Sequence, residues 1–180
     1  MKALYLLINF FDGIIIKSLF ISVLSIMLAG KVLKTDTRNA FGVTRMLILI
    51  YAGLNIILYV TAYFSPSAMA GLLGRTTDLY SFVYYFMIVS NTIFPLILLF
   101  KKLGHNKYVL LSLSFLMNIG WLMELLIIYN TDMHINNTAT RPSNDYLWFI
   151  LINGIFIGSV IYAIGGAFKH KLPDIDTPVS

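Results

Sequence analysis

Three ionisable side chains interrupt long apolar stretches of this sequence: Asp12 and Lys17 near its beginning, and Glu124 about two-thirds of the way along. Two carboxylates and an ammonium are the parts of a proton relay, and equally the parts of a self-neutralising ion pair. A charge near the centre of a bilayer costs roughly 3 kcal/mol on insertion scales, so each needs a partner or a wet cavity. Asp12 and Lys17 stand five positions apart, too far around an α-helix for a good intrahelical pair. Glu124 could meet either of them if the helices that carry them are neighbours. Two readings stand side by side: a proton-relay or quinone-facing cluster, or a neutralised structural pair with Lys17 snorkelling toward the interface.

A second set of polar groups is spread one to a segment: Asn55, Asn91, Asn118 and Asn153. Amides inside apolar helices serve as interhelical glue more often than as catalysts, each bond contributing on average about 0.6 kcal/mol. Gly154 and Gly158 form a small-xxx-small pair that lets two helix backbones approach closely, and Gly165 lies about two turns further along the same face. The reading preferred for these glycines is internal packing; the alternative is a subunit interface. Pro95 should kink its helix.

The composition says what must surround these residues. Of the residues, 58% are hydrophobic and 12% charged, and the mean hydropathy is +0.81. Soluble chains carry about a quarter charged residues, and so short a chain has too much surface for its volume to hide this much apolar area from water. Lipid is the solvent that makes the composition sensible. The absence of cysteine excludes a disulfide framework, thiolate metal sites and iron–sulfur ligation by this chain. The formal charge of +5 does not form a basic stripe with interleaved aromatics, so no nucleic-acid partner is expected.

Five stretches approach the ~20 residues needed to cross ~30 Å of hydrocarbon. They run over 3–33, 46–64, 79–100, 108–129 and 146–168, with turn or charge signals between them at 34–38, 65–67, 101–105 and 141–145. Backbone groups in lipid must bond internally, so the spans read as helices. The expected fold is all-α: one integral membrane bundle over residues 1–170 and a short cytoplasmic tail over 171–180. Asp12 and Lys17 interrupt the first segment, which reads as a retained helix rather than a cleaved signal. Lys31, Lys34, Arg38, Arg45, Lys101, Lys102, Lys107, Lys169 and Lys171 fall on one side, against Lys2, Arg75 and Arg141 on the other. By the positive-inside rule the N-terminus is outside and the C-terminus cytoplasmic. On that layout Asp12 lies about 14 Å and Glu124 about 9 Å below the outer boundary, with Lys17 near the middle.

His105, His134 and His170 read as loop or tail residues, so no axial pair stands ready for a haem inside the bundle. No nucleotide-binding, hydrolase or zinc-protease motif is present. The sequon at 136–138 is too short a motif to carry weight.

One stretch resembles a known family. Asn91, Pro95, Phe100, Lys101, Lys102, Asn118, Ile119, Gly120, Glu124, Thr131 and His134 keep the spacing of a pattern in the NrfD-like (polysulfide reductase type) membrane subunits, and Tyr80, Tyr84 and Tyr85 fit upstream. The likeness is to the second helical bundle of the quinol-oxidising subunit of alternative complex III. It departs at Leu125, where the family has arginine, and at Leu122, where the family has tryptophan; Trp121 stands one place earlier. The second helix offers Asn55 in place of an acidic residue. The family also has two bundles, and its quinol pocket is attributed to the first, whereas this chain has one.

The resemblance implies a small integral subunit of a quinone-linked respiratory electron-transfer complex in a bacterial inner (cytoplasmic) membrane, not catalytic alone. Its implied partners are NrfD-like, haem or iron–sulfur subunits. No cofactor is held by this chain, although menaquinone or another quinone could sit at an interface. Glu124, His134, Asp12 and Lys17 are then candidates for a proton or quinone path. The alternatives are a structural or assembly protein that has lost the chemistry, and a small transporter or channel subunit.

Overall fold

A computed structural model describes residues 2–65, 81–104, 106–135 and 144–169, with side chains at 4–65, 81–100, 103–104, 106–119, 122–123 and 147–167. The tail over 171–180, the arginines at 75 and 141, Tyr80 and the sequon lie outside the described residues, as do the side chains of Glu124 and His134.

The described residues are helical almost throughout. α1 (Lys2–Phe10) continues through a π-helical turn (Phe11–Ile16) into α2 (Lys17–Leu33). Lys34 ends α2 in the left-handed region at φ 51°, and the Thr35 amide donates to the Gly30 carbonyl at 3.2 Å. A Cβ at Gly30 would stand 2.4 Å from Thr37 Cγ2, so any larger residue there would make the threonine side chain shift. The Asp36 carboxylate then accepts from the Arg38 amide at 2.9 Å, in a local turn that leads into α3 (Arg38–Tyr63) with Thr37 at its N-cap position. This helix begins well before the apolar window that opens at Met46. Hydropathy marks the apolar middle of a helix, whereas the backbone ladder starts at its cap.

α4 (Ser81–Thr92) gives way to a 3-10 segment (Phe94–Leu99) rather than bending as one kinked α-helix. Pro95 has no N–H for the α-ladder, and the tighter register resumes with the Leu96 amide donating to the Ile93 carbonyl at 3.0 Å. Extended backbone at Phe100 leads into short α5 (Lys101–Gly104), then α6 (Lys107–Ile135) and α7 (Asn144–Lys169). His134 thus has helical backbone, in the last turn of α6, and does not lie in a loop.

The long helices close into a ring. α2 packs against α7 and α6, α7 against α3, α3 against α4 and its 3-10 extension, and α4 against α6. Leu19, Val23, Ile26, Ile48, Leu110 and Met117 fill the centre. Thr35 hydrogen-bonds the Tyr162 hydroxyl, Gly165 meets Ala40, and Arg45 meets Gly104. These contacts gather the end of α2, the start of α3, the end of α7 and the 100–107 connection at one end of the bundle. Lys31, Lys34, Arg38, Arg45, Lys101, Lys102, Lys107 and Lys169 belong to those same segments.

Among the described residues, four helices are long and apolar enough to cross a membrane: Leu4–Leu33, Arg38–Tyr63, Ser81–Leu99 and Leu147–Ala167. In α6 the described stretch Lys107–Ile119 is also apolar but shorter, although the helix backbone runs for 29 residues. The outer surface is apolar, with Phe64, Phe82, Trp148 and Phe156 exposed, while Ser18, Ser22, Thr44, Asn55, Ser114 and Asn118 are buried. Thr44 and Ser114 return their hydroxyl hydrogens to their own helices, Thr44 to the Ala40 carbonyl at 3.0 Å and Ser114 to the Leu111 carbonyl at 2.8 Å. These exposed apolar side chains are compatible with contact to a lipid bilayer.

Candidate functional site at a π-helical turn

The first helix widens once, and three polar side chains from three other helices are aimed at that turn. The Lys17 amide donates to the Asp12 carbonyl, five residues back, which defines the π register. Positions five apart diverge by about 140° around an α-helix. In a turn closed at five residues they stack, and Lys17 Nζ lies 3.9 Å from Asp12 Oδ2. The spacing argued against an ideal intrahelical pair on an α-helix, and the π turn is what brings the two charges within 3.9 Å.

Both partners retain some exposure, 20% for Lys17 and 38% for Asp12. The second carboxylate oxygen of Asp12 accepts from the Tyr51 hydroxyl at 3.0 Å. Tyr51, only 3% exposed, is the member of the site that reading the sequence missed. Its signal was there: a tyrosine one turn before Asn55 in an apolar helix, and a buried tyrosine hydroxyl needs a partner. Asn55 itself turns back on α3, donating to the Tyr51 carbonyl at 3.0 Å.

Two of the other asparagines converge on the same turn. The Asn153 amide donates to the Ile14 carbonyl at 2.6 Å and approaches Ser18 Oγ at 3.3 Å. The Asn118 amide donates to the Ile16 carbonyl at 3.0 Å and to the Ser114 carbonyl of its own helix at 2.8 Å. Passing from α to π bonding interrupts the regular ladder, and these amides supply donors to carbonyls that cannot turn to water. Ser18 adds its hydroxyl to the Ile14 carbonyl at 2.6 Å. Asn91 stands apart, buried in α4, with no hydrogen-bond partner for its side-chain oxygen among the described residues.

The glycines of α7 lie where its backbone meets other helices. A Cβ on Gly154 would come within 2.6 Å of Ile21 Cβ, and one on Gly158 within 2.8 Å of the Ser22 carbonyl. Ser22 Oγ uses that proximity, reaching the Gly154 carbonyl at 2.9 Å. At Gly165 a Cβ would stand 2.6 Å from the Ala40 amide nitrogen.

Glu124 and His134 enter only through their backbone. α6 runs antiparallel to α2, and Asn118 sets its level at Ile16. Position 124 is then about 9 Å from that level and Asp12 about 6 Å, in the same direction. Position 134 is about 24 Å away along the helix, remote from the π turn. Among the described residues, no three His, Asp or Glu side chains gather to hold a metal.

The chemistry open to the described cluster is charge neutralisation beside a hydrogen-bonded phenol, at one widened turn braced by two amides. Comparison with known protein families, curated proteins and solved structures returns no match to the chain.

Proposed function

We propose that this chain is an integral membrane protein of five spans, N-terminus outside and C-terminus cytoplasmic. We read it as a small subunit of a quinone-linked respiratory complex of the inner membrane, contributing packed helices rather than a complete catalytic site. The observation that carries the structural role is the pair of amides, Asn118 and Asn153, bonded to backbone carbonyls of the first helix. Polar groups used to hold helices together are not free to serve a substrate. The respiratory assignment rests on the resemblance over Asn91 to His134. In its favour, that stretch runs from the end of α4 through the 3-10 segment and α5 into α6, α4 and α6 pack together, and Asn91 and Asn118 are both buried.

The experiment is a pull-down of the tagged full chain in mild detergent, with haem and quinone analysis of what accompanies it. Larger membrane subunits carrying haem or iron–sulfur centres are the expected companions. A chain that migrates alone, with neither cytochrome nor quinone, sinks the respiratory reading.

A second reading, an assembly or structural protein without any proton path, is favoured by the pairing of Asp12 with Lys17 and the Tyr51 hydroxyl. Replacing Asp12 and Glu124 with Asn and Gln separates the two. Slowed respiratory turnover at a normal level of the complex supports the path, and unchanged turnover supports the scaffold.

A further inference from the structure

At the basic end of the bundle, Arg45 is half-buried, and among the described residues its guanidinium has no hydrogen-bond or ion-pair partner. Its position is set by Gly104: a Cβ there would stand 2.8 Å from Arg45 Nε and 2.9 Å from Cζ. The missing side chain is what lets the guanidinium lie against the 100–107 connection. A partly desolvated guanidinium calls for an anion, and its planar fork suits a phosphate.

Below it runs a shallow trough on α3, lined by Gly42, Arg45, Met46, Leu49 and Ile50. Met46 is 64% and Ile50 41% exposed, and nothing stands within 4 Å of where a Cβ would be on Gly42. Gly53, equally open, continues the same face about 12 Å deeper than Arg45. Arg45 itself lies about 10 Å along α3 from its start, the depth of a headgroup boundary rather than of the bilayer centre. A cation at the mouth of an apolar trough parallel to the helices is complementary to one class of molecule: an amphiphile with a phosphate head and an acyl tail.

We propose that Arg45 and the Gly42–Gly53 face of α3 form a binding site for one anionic phospholipid, its phosphate on the guanidinium and an acyl chain along the trough. This rests on the membrane reading given above. Free phosphate would use Arg45 alone and leave the trough empty. An acidic protein segment would have to bury its own backbone against apolar side chains.

The full chain is placed in nanodiscs of phosphatidylcholine and phosphatidylglycerol, and the lipids retained after release into mild detergent are counted by native mass spectrometry. Wild type is expected to hold phosphatidylglycerol selectively. Arg45→Gln should lose that selectivity roughly fivefold, the usual effect of one cation near an anionic surface. Arg45→Lys should keep part of it, and Gly42→Leu should lower retention while leaving the charge intact. Unchanged selectivity in Arg45→Gln overturns the site. Should that variant fail to fold, Gly42→Leu decides, since its added side chain enters open space; unchanged retention there overturns the proposal too. Displacement by inorganic phosphate as readily as by lipid overturns it in favour of a phosphate site. Selectivity that appears only after Asp174→Asn and Asp176→Asn overturns it in favour of the chain's own tail. A chain that does not enter the nanodisc at all defeats the membrane reading instead.

Discussion

The side-chain amide of Asn153, on the last helix, donates to the carbonyl of Ile14, on the first, at 2.6 Å across 139 positions of sequence. With Asn118 doing the same for Ile16, the widened turn is braced from two sides. The irregularity of the first helix is therefore a property of the whole bundle, since the donors that accommodate it belong to α6 and α7.

Replacing Asn153 or Asn118 with alanine should each lower stability by about 0.6–1.7 kcal/mol, the range for interhelical hydrogen bonds in membranes. Reversible unfolding in mixed detergent micelles measures it. Losses below the experimental scatter for both variants would mean that the π turn does not depend on them.

Lys17→Met strands the Asp12 carboxylate beside the Tyr51 hydroxyl. The expected loss is on the order of 3 kcal/mol or less, tempered by the exposure of the pair. Adding Asp12→Leu should recover most of it, because removing both charges is cheaper than leaving one. A double variant as unstable as the single one would refute the pairing.

Tyr51→Phe removes one neutral donor to a carboxylate and should cost about 1.5–3 kcal/mol. In an Asp12→Ala background the same change should cost much less. Equal costs in the two backgrounds, from a double-mutant cycle, would show that the hydroxyl works elsewhere.

Glycine substitutions should divide by sign. Gly165→Ala drives a methyl into the Ala40 backbone, 2.6 Å from its nitrogen, and should destabilise by about 1–3 kcal/mol. Gly53→Ala, on the same bundle but with nothing within 4 Å, should be neutral or stabilise by up to about 1 kcal/mol. The reverse order would overturn the packing of α7 on α3.

Because the chain has no cysteine, any introduced thiol is a unique reporter of sidedness. A cysteine at Thr35 should react with an impermeant reagent only from the cytoplasmic face, and one at Asn144 only from the outer face. Labelling of both from one face would contradict an odd number of crossings.

Much of the architecture was legible in the chain because it depends on local quantities. Hydropathy over some twenty residues is a sum, and it located the apolar helices whatever their neighbours. Its blind spot was the ends, as α3 shows by starting at Arg38, just after Asp36, rather than at Met46. Pro95 pointed to a kink, and the structure has a 3-10 segment over Phe94–Leu99 in place of a bent α-helix.

The site divides differently. Residue types alone identified Asp12 and Lys17 as charges in need of partners, and Asn118 and Asn153 as donors in need of acceptors. Which partner each would find was decided by tertiary structure. The five-residue spacing of Asp12 and Lys17 gives no contact in an α-helix and a contact in a π turn. That turn is tolerable because α6 and α7 carry amides to its carbonyls. Tyr51 joins the carboxylate only because α1 and α3 pack side by side. A sequence states the needs of a buried charge through its chemistry, while geometry set by packing among distant segments selects how they are met.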